Sequence, residues 1–582
     1  MAGSKKGPKE SWLLERQRSM VMRAAEEGLS NLVLIAMDAD PAADVTKMAA
    51  ARSAGDVPLI TACLKGHLDV AKTLVEKCKA PLDSRADVTL EGQYCKGMTP
   101  LWAASYSGNL DLVKFLVQKG AGVNVIAVSQ SSPLRAAAYK GHLPVVKFLA
   151  EKGADVNSTN RHGHSALMIA CYNEHRDVAE YLLDHGADVN YSPPVIGDES
   201  DVIGTTALHD CAMNGNMGLC RLLLARGASI TRCQNNETPL LIAAKKCHDE
   251  LVEFFLDTPD CSRDDKADAL ELLGTEHWEN GNIDKCLSLW QRAMEERHRP
   301  GKPVVWKREA DGKVAAYGYA VEAQTMEELR KLKTSRDEHE LGVQSMLIRE
   351  RVLGKTNEGT TFIIRCNAAL FADEGRFDQS IELMLHIFEN LKSVCPLKSH
   401  TVDVFALLVS LLVSGQDVEG PGGVIFSNTL TCLKWAVSDF QRGEAVEEQE
   451  SRSETILTKR QNLLKIILHI ICLLYQTLHR ATPKETLEFT EQVQSLVKMD
   501  VRDQKGNTLL HMACDADTTD FDTGGNPYTG CTFPAPEVVH VLLDTGCDVA
   551  ARNEAGKTAL QVAQEQEGDQ SQITSILMAA GS

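Results

Sequence analysis

Residues 132–164 read SPLRAAAYKGHLPVVKFLAEKGADVNSTNRHGH, and almost every position has a local physical reason. Ser132 before Pro133 caps a helix, and the proline is tolerated in the first turn, where its missing N–H has no intrahelical partner. Ala136 and Ala137 are small enough to let a neighbouring helix come close. Gly141 ends the short helix where a positive φ is wanted. A second amphipathic helix follows, and Gly153-Ala154-Asp155-Val156-Asn157 turns the chain outward into a β-hairpin finger.

Moving outward, five more segments align on this template. They begin at Val57-Pro58-Leu59, Thr99-Pro100-Leu101, Ser165-Ala166-Leu167, Thr206-Ala207-Leu208 and Thr238-Pro239-Leu240. Most are spaced by about 33 residues, the ankyrin period, with insertions near Pro81–Lys96 and Tyr191–Val202 accounting for the longer gaps. Gly66, Gly108 and Gly215 repeat the helix-ending glycine, and Gly186 repeats the Gly-Ala-Asp-Val-Asn turn. Two further copies stand at Asn507–His511 and Lys557–Leu560.

Between the arrays, Leu272, Gly274, Trp278, Cys286, Trp290 and Ala293 are placed as in a tetratricopeptide helix pair, and Ala368–Phe388 repeats the pattern. The fold expected is therefore an all-α repeat protein: an ankyrin solenoid, a central tetratricopeptide-like region and a short C-terminal ankyrin array. The boundaries read as a polar extension over 1–19, a degenerate ankyrin cap over 20–54 and ankyrin repeats over 55–262. A tetratricopeptide-like pair follows over 263–300, a linker with helices over 301–358 and a second pair over 359–395. A helical region with an acidic loop spans 396–500, and ankyrin repeats close the chain over 501–582. The Gly415–Gly423 stretch reads as a loop and Glu444–Glu450 as solvated linker.

The chain has 582 residues and a formal charge of −19, which argues against a general nucleic-acid or anionic-membrane surface. The 17 cysteines contain no C-x-x-C pair and many fall inside helical patterns, as expected in a reducing compartment, cytoplasmic or nuclear. Met1–Glu10 lacks an apolar signal core. Ile466–Tyr475 is too short to span a bilayer and reads as a buried helix.

No phosphate loop, zinc-protease helix, dinucleotide fingerprint or nucleophile elbow occurs, so neither an enzyme nor a cofactor is expected. His162 and His164 could reach a metal, but at a finger tip they read first as ligand-face residues. His209 occupies the T-A-L-H position, where the ring bonds between neighbouring turns. The concave surface would gather Trp102, Tyr106, Arg135, Tyr139, Lys140, Arg161, His162, His164 and Tyr172, the residue types of which binding hot spots are made. Packing between repeats is the other reading of each.

With these residues in place, the chain resembles the feminization (Fem) family, ankyrin proteins that serve as substrate receptors of cullin-RING ubiquitin ligases. The resemblance rests on Pro100–Ser105, Ser132–Ala137, Asn160–His164, Ala269–Gly274 and Leu347–Gly354, the last two outside any ankyrin repeat. It implies that a target's C-terminal peptide is held in the N-terminal groove, with Glu91 and Ser131 added to the residues above. It also implies elongin B/C and a cullin as partners, and no catalytic residue.

Two departures stand out. Where the family carries an acidic residue for a C-terminal arginine, this chain has Lys140, which repels a guanidinium and attracts a carboxylate. Glu91 or Glu174 could restore an acidic pocket. The L-x-x-L-A-A-R-type box with which the family docks elongin and cullin is not found before Ser582.

Overall fold

Each template copy folds as two antiparallel helices. In the computed structural model these are α3 (Pro58–Lys65) with α4 (Leu68–Glu76), α5 (Pro100–Ser107) with α6 (Leu110–Gln118), and α7 (Pro133–Tyr139) with α8 (Leu143–Glu151). The array continues through α9 (Ala166–Tyr172) and α10 (Arg176–Asp184), α11 (Ala207–Met213) and α12 (Met217–Ala225), and α13 (Pro239–Lys245) and α14 (Asp249–Leu256). It is preceded by α1 (Pro8–Glu27) and α2 (Ser30–Asp38) and followed by α15 (Arg263–Glu279) and α16 (Ile283–Arg297). The structure describes residues 8–38, 57–194, 204–307, 315–391, 423–447, 454–519, 532–566 and 570–581. They fall into two compact units, Met1–Val305 and Trp306–Ser582.

The caps are those the sequence dictates. The hydroxyls of Thr99, Ser132, Ser165 and Thr238 accept from the backbone N–H of Trp102, Arg135, Met168 and Leu241. Val57 has no capping side chain to offer, and none is seen. Leu101, Leu134, Leu167, Leu208 and Leu240 and the alanines beside them are buried. The first helices of successive repeats stack into one continuous row running from α1 to α15.

Two polar ladders tie the repeats together. In the first, Asn124, Asn157 and Asn190 each donate Nδ2 to the carbonyl of Gly153, Gly186 or Gly227 in the next repeat, at 3.0 Å. Each also accepts, through Oδ1, the backbone N–H of Asp155, Asp188 or Ser229. In the second, the Nε2 atoms of His67, His142, His175 and His248 reach the carbonyls of Glu26, Tyr106, Tyr139 and Met213 at 2.9–3.1 Å. Since a carbonyl can only accept, each ring carries a hydrogen on Nε2 and donates it. The rings lie over the helix-ending glycines: a Cβ on Gly108, whose φ is +77°, would meet the His142 ring at 2.5–2.7 Å.

Some features depart from the sequence reading. The stretch read as a polar extension over 1–19 contains the first turns of α1, which begins at Pro8. The finger between α8 and α9 is a turn closed by the single bridge Thr159–Ser165 rather than a β-hairpin. The one two-stranded sheet among the described residues lies in the first insertion, β1 (Ala86–Leu90) paired antiparallel with β2 (Gln93–Met98). The second insertion lies largely outside the described residues.

The helix pair α15–α16 packs on α13 and belongs to the first unit. Its centre is Arg297, 1% exposed, whose guanidinium bonds Asp264 at 3.2 Å, Glu271 at 3.0 and 3.3 Å, and Asp268. Gly274 leaves room for Trp290, whose ring a Cβ there would meet at 2.5 Å.

The second unit begins with α17 (Met326–Ser335) and α18 (Glu338–Leu353), then the tetratricopeptide-like pair α19 (Glu358–Asp373) and α20 (Phe377–Leu391). After these come α21 (Gly423–Glu447), α22 (Glu454–Gln476) and α23 (Pro483–Lys498). The unit ends with α24 (Leu509–Ala513), α25 (Pro536–Asp544), α26 (Ala559–Glu565) and α27 (Ser571–Gly581). Its core gathers on α22, where Ile466, Ile467, Leu468, Ile470 and Ile471 are fully buried. No described helix is long and apolar enough to cross a membrane. The glycine-rich stretch before Gly423 lies outside the described residues, and Glu444–Glu447 form the end of α21 rather than linker. His511 repeats the T-x-L-H device, with Nδ1 on Thr508 Oγ1 at 2.8 Å and Nε2 on the Lys557 carbonyl at 2.9 Å.

Gly108→Ala tests the histidine ladder. The left-handed backbone and the displaced His142 bond together should cost about 2–3 kcal/mol, read as lost amide-exchange protection in α5–α8. Unchanged protection there would remove the ladder from any account of repeat coupling.

Candidate functional site

The template positions Trp102, Arg135, Met168 and His209 equivalently, three residues into each first helix. It likewise positions Tyr106, Tyr139 and Tyr172, near each first helix's end. Stacking the helices therefore aligns these side chains along one face. Trp102 stacks on Tyr106 with ring centroids 5.3 Å apart, and Tyr106 on Tyr139 at 6.2 Å. Trp102 is 6% exposed and packs with Met98, Ala127 and Ala136. Its Nε1 donates to Ser131 Oγ at 3.2 Å, so it is both floor of the surface and part of the core.

Arg135 is half-buried beside this floor. Its Nε donates to the His164 carbonyl at 3.2 Å and its Nη1 to Ser131 Oγ at 3.3 Å. Among the described residues no carboxylate pairs with it, and burial lowers its pKa to about 10. It remains charged at any physiological pH, so the groove holds a cation whose partners are all neutral. His164 is pushed towards its neutral form, first by burial and then by the charge of Arg135.

Lys140 is where sequence and structure diverge most usefully. Its Nζ lies 4.9 Å from the Tyr106 ring centroid and 5.5 Å from that of Tyr139, and 2.5 Å from Glu91 Oε1. That hydrogen bond holds the Glu91 carboxyl below the usual range and raises the lysine. Glu91 reaches across because it occupies the two-residue turn between β1 and β2, where Leu90 pairs with Gln93 and Glu91 and Gly92 both take positive φ, of 50° and 81°. That combination fits the tight hairpin turn that matches strand twist.

The sequence pattern did not reveal what holds the hairpin. Asp87 accepts the Gly97 N–H at 2.7 Å and the Tyr94 hydroxyl at 2.9 Å. Arg85 Nη1 donates to the Ile126 carbonyl at 2.9 Å. The alternation of Val88 and Leu90, whose side chains pack on the Trp102 cluster, was the signal available for a strand in that insertion.

The remaining residues are less tightly assembled. Arg161 and His162 are exposed at the finger tip, Arg161 Nε against His162 Nε2 at 2.9 Å. His162 and His164 lie 6.3 Å apart, centroid to centroid. Tyr172, 53% exposed, continues the tyrosine row without a ring partner among the described residues. Glu174 is exposed with φ +62° and makes no bond to Lys140; Glu91 does. His209 is fully buried, bonded to Thr206 Oγ1 at 2.9 Å and the Glu237 carbonyl at 3.3 Å, a structural part of the stack.

Floor and rim should separate on substitution. Trp102→Ala removes a buried indole and should cost about 3–5 kcal/mol. Glu91→Gln breaks only a solvent-exposed pair and should leave the unfolding midpoint unmoved in the same thermal melt. A large loss for Glu91→Gln would mean that the hairpin carries the fold.

Comparison with known proteins agrees with this architecture. The family model described as Ankyrin repeats (3 copies) matches residues 21–127, 125–192 and 195–265. The chain is 34% identical over 591 residues to Protein fem-1 homolog A of Bos taurus, covering 93% of this chain and 87% of that protein. It is 33% identical over 610 residues to the Homo sapiens fem-1 homolog A, covering 94% and 87%. Against the Mus musculus fem-1 homolog C it is 35% identical over 558 residues, covering 94% and 86%. With 93–94% of this chain and 86–87% of each of these relatives aligned, the chain belongs to the Fem family of ankyrin-repeat proteins.

Proposed function

We propose that this chain is the substrate-recognition subunit of a cullin-RING ubiquitin ligase, holding C-terminal degron peptides of target proteins in the groove of its first unit. Ubiquitin transfer is then the work of recruited partners, elongin B/C and a cullin scaffold among them, in the cytoplasm or nucleus. The target is thereby marked for proteasomal degradation. The chain contributes proximity, raising the effective concentration of target lysines near the charged enzyme.

The observation that carries this reading is the surface built from Trp102, Tyr106, Tyr139, Arg135 and Lys140. Stacked rings offer area at low entropic cost, and a half-buried guanidinium without a carboxylate offers an anion its strongest contact. A peptide's terminal carboxylate, or an acidic side chain next to it, supplies that anion. A C-terminal arginine does not fit: it would meet Arg135 and Lys140, and the Glu91 carboxylate is already bonded to the lysine.

A peptide series differing only in the last residue checks the preference by fluorescence polarisation. Peptides ending in Glu or Asp should bind about tenfold more tightly than the Arg-ended one, a difference of ~1.4 kcal/mol. Arg135→Met should weaken every peptide through the shared terminal carboxylate, and the acidic-ended ones most. Micromolar binding of the Arg-ended peptide would overturn the assignment of the pocket. Lowering the pH from 7.5 to 5.5 should tighten the acidic peptides severalfold, because a bound carboxylate favours protonated His164, and His164→Gln should flatten that slope. A pull-down with the full chain, probed for elongin and cullin, tests the ligase half separately. Retention of both supports it, and loss of both leaves a recognition module that scaffolds or shields its targets.

A further inference from the structure

In the first unit, the position that ends each repeat's first helix takes a left-handed backbone. It is Gly66, Gly108, Gly141 and Gly215, with φ between +70° and +77°, in four of the repeats. In the other two it is Glu174, with φ +62°, and, in the last repeat, Cys247, with φ +58°. A side chain there works against the backbone's preference, and this one is a thiol set among other donors. Cys247 Sγ lies 3.7 Å from His277 Nε2, and that nitrogen lies 2.9 Å from Asp249 Oδ1. The three donor atoms lie within 4.8 Å of one another, and among the described residues no other group of three or more His, Cys, Asp and Glu donors is gathered so closely.

We propose that Cys247, Asp249 and His277 form a binding site for a zinc-class divalent ion, with the fourth position left to water. A thiolate, an imidazole and a carboxylate make a borderline-soft set that suits Zn²⁺ or Co²⁺ and not the oxygen-seeking Mg²⁺ or Ca²⁺. Tetrahedral bonds of about 2.0–2.3 Å place donor atoms roughly 3.3–3.7 Å apart. The sulfur–nitrogen pair already has that spacing, and the nitrogen–oxygen pair need open only slightly as the ion replaces their hydrogen bond. Binding exchanges the thiol proton for the metal and releases that proton to solvent.

Lys285 Nζ, 2.9 Å from Asp249 Oδ1, is the competing cation. It is partly exposed on a flexible stem and can swing away. A nucleophilic triad is a poor reading of the same atoms. One imidazole nitrogen faces both the sulfur and the carboxylate, so the acid does not orient the ring from behind. Burial first, and then the charges of Asp249 and Glu276, raise the thiol's pKa rather than lower it as a nucleophile needs.

The ion would join the turn of the last ankyrin repeat to α15, pinning the helical pair to the end of the solenoid. The site stands apart from the peptide groove and does not depend on the function proposed for it. The test is titration of the untagged full chain with Co²⁺, read by its d–d and thiolate charge-transfer bands, followed by competition with Zn²⁺. One equivalent should bind with thiolate character and raise the unfolding temperature. Cys247→Gly restores the residue that the backbone favours, so it folds without strain, and it should lose the charge-transfer band and at least tenfold in affinity. His277→Asn should lose a similar factor. Lys285→Met should tighten binding severalfold. Absence of binding at micromolar metal, or an undiminished charge-transfer band in Cys247→Gly, would overturn the site. Unchanged affinity in Lys285→Met would show that the ion sits away from Asp249, and would overturn the three-ligand assignment.

Discussion

The first unit depends on backbone groups that no single repeat can satisfy for itself. A two-helix repeat leaves the carbonyls at the end of its first helix and in its outward turn without partners, and buried unpaired carbonyls are costly. The neighbouring repeat supplies the missing donors: a histidine ring on one side and an asparagine amide on the other. Stability is therefore a property of adjacent pairs, as expected of a quasi-one-dimensional array. The glycine under each ring is part of the same arrangement, since a methyl group there would push the imidazole off its carbonyl.

Because the repeats are held in fixed register, side chains about 33 residues apart become spatial neighbours. Tyr106 and Tyr139 stack for that reason alone. The groove inherits a rigid aromatic floor from the packing and carries its charge on a rim that can vary. Trp102 belongs to the core, whereas Lys140 and Glu91 meet in solvent. The half-buried Arg135 lies between these cases, fixed by neutral acceptors yet open to an anionic partner.

Most of the architecture was legible because ankyrin rules are local. Thr or Ser before Pro, paired alanines and a Gly-His step each state a backbone requirement within a few residues; the hydroxyl caps form at Thr99, Ser132, Ser165 and Thr238, whereas Val57 has no oxygen and the Thr206 hydroxyl meets the His209 ring instead. What was not legible was non-local. The pairing of Glu91 with Lys140 spans 49 residues and arises in an insertion that has no period to reveal it. The start of α1 was hidden by polar residues at the N-terminus, and the finger's hairpin proved to be a single bridge. Nothing in the sequence pairs Cys247 with His277, which lies in a helix of a different pattern.

The hairpin formed by β1 and β2 has a further consequence. It satisfies its own backbone through its ladder and through Asp87, yet it also brings the Glu91 carboxylate to Lys140 beside the aromatic floor. The solenoid beneath needs no knowledge of what the hairpin carries at its tip. The charge presented over the floor can thus change by exchange of a few residues in one appended loop while the stacked scaffold stays constant. Variation at this surface would then be concentrated in insertions between repeats, leaving the repeats themselves nearly unchanged.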